Sequence, residues 1–117
     1  MRVGSRGDLV EDAKSRVKQV SAADALRDRN PDTVLLDVRE PNEWNMAHIP
    51  GAVLVPLADV EEKVESAVPR DSKVVVYCAS GNRSALAADT MQQMGYSDVA
   101  SMAGGIRGWA DAGGEVE

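Results

Sequence analysis

This 117-residue chain contains one cysteine, one histidine and no phenylalanine. It also lacks any apolar run approaching the roughly 18 residues of a membrane-spanning helix. A single cysteine excludes an internal disulfide, and a reducing cytoplasmic setting is the expected compartment. One cysteine and one histidine are too few for a protein zinc site, so no metal and no other cofactor is expected. Residues 1–20 are punctuated by charges where a signal peptide would need an apolar centre. Positive charge is also scarce: 13 Lys and Arg face 19 Asp and Glu, for a net charge of -6. That balance argues against nucleic acid and anionic membrane as partners. It would also slow an anionic substrate, so such a substrate needs a favourable local field. Without phenylalanine, the core must come mainly from Val, Leu, Ala, Ile and Met. The 44% hydrophobic content is enough for one globular domain without staples.

What is present is a succession of short apolar runs separated by helical periodicities. Residues 1–15 are rich in glycine and charge and read as an N-terminal extension, mobile by default, with one helical turn over 8–14. The domain proper is expected over 16–117. Residues 17–20 form a weak strand signal. Ser21 then offers a helix N-cap, with Asp24 three residues on, and Asn30-Pro31 marks the stop. Residues 34–38 are a nearly continuous apolar strand, as expected where both faces are covered. Asp37 interrupts it and requires a hydrogen-bonded or solvated setting. Residues 39–50 read as a loop, 52–55 as another strand, and Leu57, Val60, Val64 and Val68 as the inner face of a helix ended by Pro69. Residues 99–102 form the last strand, and Gly104-Gly105 opens a final helix with Ile106 and Trp109 inward. Strands alternating with helices predict an α/β fold with a parallel sheet covered on both faces. Ligands bind such sheets at the carboxyl ends of the strands.

One junction carries chemistry. Val74-Val75-Val76-Tyr77 is a β-branched and aromatic strand. Cys78-Ala79-Ser80-Gly81-Asn82-Arg83-Ser84 follows as a polar loop and the start of a helix with Ala87, Met91 and Met94 inward. Free N–H groups of the loop and first turn converge there, with the positive end of the helix behind them. Such a nest binds an anion, and here the anion can be the thiolate of Cys78, lowering its pKa. Gly81 permits the turn and Arg83 adds a fixed charge. Ser84 reads as a helix cap, with a hydroxyl donor to sulfur as its alternative. The bland reading of a lone cysteine is an inert core residue, which a polar, glycine-containing, Arg-bearing loop disfavours.

Four residues separate Cys78 from Arg83. Phosphatases with a cysteine nucleophile have one more, to surround a tetrahedral phosphate. The loop 78–84 resembles the active-site loop of rhodanese-type sulfurtransferases. Leu36-Asp37-Val38-Arg39, Glu43-Trp44, His48-Ile49-Pro50-Gly51-Ala52 and Gly104-Gly105-Ile106-Arg107-Gly108-Trp109 resemble that family's other signatures, in the same order. Ala47 stands where a glycine is usual. The resemblance implies a rhodanese-like fold, a five-stranded parallel sheet with helices on both faces. It implies transfer of a sulfane sulfur from a small donor such as thiosulfate to a thiol or cyanide acceptor through a persulfide on Cys78. Ala79, Ser80, Gly81, Asn82, Arg83 and Ser84 would bind substrate, with Arg83 orienting the anionic donor. Asp37, Arg39 and His48 read as supports: the first two an ion pair or hydrogen-bonded brace, and His48 a loop-fixing residue in preference to a general base. The alternatives are a sulfur-relay or sensor module serving a protein sulfur acceptor, and a cysteine-dependent phosphatase or arsenate reductase.

Overall fold

The computed structural model describes residues 6–117. Its elements run α1 (Arg6–Arg16), β1 (Lys18–Ser21), α2 (Ala22–Arg27), β2 (Thr33–Asp37), α3 (Pro41–Met46), β3 (Val53–Leu54) and a 3₁₀ turn (Leu57–Asp59). They continue through α4 (Val60–Ala67), β4 (Lys73–Tyr77), α5 (Asn82–Gln93), β5 (Val99–Ala103) and α6 (Gly105–Asp111). The five strands form one sheet in the order β1-β5-β4-β2-β3, every pair parallel. Among the described residues no helix is long and apolar enough to cross a membrane.

The continuous apolar runs of β2 and β4 divide by the two-residue period of a strand. Leu36, Val74, Val76 and Cys78 point to one face, where they meet Ala13 of α1, Val60 and Val64 of α4 and Ala88 and Met91 of α5. Leu35, Val75 and Tyr77 point to the other, where Ala22 of α2 and Trp109 of α6 close a second core. Two small cores, one on each face, thus hold the sheet without a phenylalanine. Ser21 caps α2 as its sequence predicts, accepting the Asp24 N–H at 3.0 Å.

Two expectations change. The extension expected over residues 1–15 is, from residue 6 on, part of a helix packed on the domain. Val10 and Ala13 are buried, and Arg16 just beyond clasps Asp89 of α5 with two hydrogen bonds of 3.0 and 2.8 Å. The apolar stripe of α1 consists of small residues among many charges, which is why it is faint in the sequence; residues 1–5 lie outside the described residues. The loop expected over 39–50 contains α3. Pro41 at its first turn supplies a preset φ, and the Glu43 carboxylate accepts the Glu40 N–H at 3.0 Å.

Candidate active site

β4 ends at Tyr77, so Cys78 leaves the sheet at the carboxyl end and α5 begins four residues later. The chain reverses at Gly81, whose φ of +114° belongs to the region that favours glycine. That turn aims amides back at the sulfur. Gly81 N–H donates to Cys78 Sγ at 3.2 Å and Ser84 N–H at 3.4 Å, and Ser84 Oγ lies 3.6 Å away. Gly81, not Ser84, caps α5. Ser84 sits one turn in, and its hydroxyl also meets Ser101 Oγ of β5 at 2.8 Å. Ser84 and Ser101 are both fully buried, and Cys78 is only 2% exposed. Ala79 is half-buried, while Ser80 and Asn82 face solvent.

Burial alone would push the Cys78 thiol up. The Ser84 hydroxyl and the amides of Ser84, Gly81 and Ser80 outweigh it and hold the thiol below its ordinary value. The sulfur therefore sits in a cage of donors that favours its thiolate form, with neither a lysine nor a histidine bonded to it among the described residues.

The floor of the loop is α6. Ile106 N–H donates to Cys78 O at 2.9 Å and Arg107 N–H to Ala79 O at 3.4 Å. This approach requires Gly105, at φ +57°. A Cβ there would lie 2.5 Å from Cys78 O and from the Ala79 carbonyl. Gly105→Ala must push the cysteine loop away from α6, because the clashing atoms are backbone. We expect it to cost about 3 kcal/mol in urea unfolding and to slow alkylation of Cys78. Native stability and a native alkylation rate in Gly105→Ala would show that the loop does not depend on this contact.

The supporting residues divide into an ion pair and a stack. Asp37, with no exposure, accepts the Arg39 backbone N–H at 2.9 Å and guanidinium hydrogen bonds of 3.1, 3.2 and 2.8 Å. Arg39 Nη2 donates also to Ala47 O at 2.7 Å. His48 stacks on Trp44 at 3.7 Å between centroids, donates from Nδ1 to Trp44 O at 3.0 Å, and sets Nε2 3.4 Å from the Glu117 carboxylate. Its polar contacts hold the 44–48 segment and none reaches Cys78.

Arg83 has a partner that no local sequence feature announces: Glu43 of α3 takes it in a bidentate pair of 2.7 and 2.9 Å. Hydrogen bonding to Arg83 holds the Glu43 carboxyl down at about 2, so the pair stays ionised. The charge of Arg83 is thus largely spent in clamping the start of α5 to α3.

Beside the loop lies a pocket of about 350 Å³ lined by Arg39, Glu43, Met46, Ala79, Ile106 and Arg107, among others. The pocket and Cys78 lie at the carboxyl end of the central strands. The rhodanese-like domain family matches residues 19–112, a span containing Cys78 and its loop, Asp37, Arg39, Glu43, His48 and Ser101. The chain belongs to the rhodanese-like family. Among curated rhodanese-like relatives, the thiosulfate sulfurtransferase PspE of Escherichia coli is 38% identical over 73 residues, which is 62% of this chain and 69% of PspE. YrkF of Bacillus subtilis, named as a sulfur carrier protein, is 41% identical over 75 residues, 64% of this chain but only 40% of that protein. Among solved structures, a Rhodopseudomonas palustris protein described as a possible tyrosine phosphatase superposes with a TM-score of 0.88 at 34% identity, covering 100% of this chain and 97% of its own.

Ser101 and Glu43 are the site residues the sequence reading leaves without a role. Ser101 is a single hydroxyl within an apolar strand, where burial demands a partner. Glu43 follows Pro41 at a capping position, and its second task, holding Arg83, has no local signature.

Proposed function

We propose that this protein is a sulfurtransferase acting through a persulfide on Cys78. The observation that carries the reading is the sulfur atom itself, buried and met by two N–H donors and one hydroxyl. The Cys78 thiolate attacks the outer sulfur of a donor such as thiosulfate. The new S–S bond forms as the old one breaks, and its electron pair leaves with sulfite. An acceptor nucleophile, cyanide or a thiol, then attacks the terminal sulfur and returns the thiolate. Both half-reactions conserve charge and need no external oxidant, as expected of covalent, two-step catalysis. The donors around Sγ can follow the charge onto the added sulfur. Ala79, Ser80, Gly81, Asn82, Arg83 and Ser84 make up the cradle; Asp37, Arg39 and His48 brace the segment opposite. The relative named as a thiosulfate sulfurtransferase supports this reading. A lone thiol with no resolving partner suits a reducing compartment, and we place the protein in the cytoplasm.

A relative named as a sulfur carrier favours a second reading, a relay module that passes sulfur to a protein thiol. One set of measurements separates the readings. Mass spectrometry after incubation with thiosulfate is expected to show one added sulfur on Cys78, stable without acceptor and lost as thiocyanate on adding cyanide. No added sulfur would overturn the proposal. Slow turnover with small acceptors and fast transfer to a protein thiol would select the relay. Cys78-dependent hydrolysis of an aryl phosphate at a comparable rate would select the phosphatase.

A further inference from the structure

The sulfur donor of the proposed reaction is an anion, and the protein carries a net charge of -6, so some local cation must receive it. Three arginines stand around the cysteine loop, and two are already engaged. Arg39 is buried on Asp37, and Arg83 is held by both carboxylate oxygens of Glu43. In the pocket beside Ala79, the charges of Arg39 and Glu43 are therefore each balanced by a partner. Arg107 is different: its side chain is exposed, lines the same pocket, and makes no ion pair or hydrogen bond among the described residues.

We propose that Arg107 is the residue that binds the anionic group of the sulfur donor. The proposal rests on the sulfurtransferase reading for its substrate. Its geometry stands independently. Arg107 is fixed to the reacting loop through its backbone, since its N–H donates to Ala79 O and the neighbouring Ile106 N–H donates to Cys78 O. The base of the arginine therefore moves with the nucleophile, while its long side chain stays free to close on a ligand. The remaining walls are largely apolar, with Met46 86% exposed and Ile106 and Ala110 alongside. Such walls offer no donor to compete with Arg107 for a charge-assisted hydrogen bond. An arginine suits this task because its planar fork can grip two oxygens of a sulfonate-like group at once.

The test compares Arg107→Ala, Arg107→Lys and Arg107→Glu with the native protein, using iodoacetate, iodoacetamide and thiosulfate. The ratio of Cys78 alkylation by anionic iodoacetate to that by neutral iodoacetamide reads the local cation without requiring sulfur transfer. We expect that ratio to fall about fivefold in Arg107→Ala, to recover in part in Arg107→Lys, and to fall further in Arg107→Glu, with all differences shrinking at high salt. For thiosulfate, kcat/KM should fall on the order of tenfold in Arg107→Ala, chiefly through KM. An unchanged alkylation ratio in Arg107→Ala would overturn the assignment, whatever the turnover. A lowered ratio in Arg107→Ala, together with a native protein that does not accept sulfur from thiosulfate, would support Arg107 as the anion-binding residue while removing the thiosulfate reading of the site.

Discussion

Cys78→Ser is expected to reduce sulfur loading and transfer to background while leaving the protein folded. A serine hydroxyl can occupy the same cage, accepting from the Gly81 and Ser84 amides that now meet Sγ at 3.2 and 3.4 Å. The cage lowers the pKa of a thiol from about 8.5, but a hydroxyl begins too far above neutrality for the same donors to ionise it. Because Cys78 is buried, the smaller oxygen leaves a slight void, worth about 1 kcal/mol of stability. The companion measurement is the pH dependence of iodoacetamide alkylation in the native protein. Its inflection should fall below the ordinary thiol value, since the donors outweigh burial. An inflection at or above that value would remove the caged-thiolate account. Sulfur transfer surviving in Cys78→Ser would remove the persulfide mechanism.

The parts of this molecule legible in its sequence are those set by short-range rules. Apolar runs that alternate with helical spacings fix a parallel sheet covered twice, and the five strands follow in their expected places. Asp37 in an apolar strand needs a partner, and Arg39 two residues on is within reach of it. A cysteine followed by a glycine-bearing polar loop and a helix places the thiol at a nest. What escapes notice depends on contacts distant in sequence. Glu43 and Arg83 are forty positions apart, and nothing local in either segment announces the pair. Ser101 meets Ser84 only because β5 lies beside β4. Ser84 is misread as a cap because its spacing from Cys78 suits a helix start; the left-handed turn at Gly81 starts the helix three residues earlier. That Arg107 has no partner among the described residues is likewise invisible until every acid nearby has been assigned.

The second large effect is expected in Arg39→Met. Asp37 has no exposure and Arg39 only 6%, and the two share a fork of contacts down to 2.8 Å. Forming such a pair gains little over an apolar replacement, because both ions lose their hydration. Breaking it is another matter. Methionine matches much of the arginine stem but leaves the Asp37 carboxylate buried without its cation, with only the residue-39 backbone N–H and the Tyr77 hydroxyl left to it among the described residues. We expect a loss of about 3–5 kcal/mol in urea unfolding at neutral pH, a large share of the stability of a domain this size. The same substitution frees Ala47 O, which Arg39 now holds at 2.7 Å, and so loosens the segment that carries His48. A double variant, Asp37→Asn with Arg39→Met, removes the stranded charge and should recover a substantial part of the loss, giving a clear coupling in the mutant cycle. If Arg39→Met costs less than about 1 kcal/mol, or if the two substitutions simply add, the pair is not the electrostatic brace of the site and its hold on the 39–48 segment must come from packing alone.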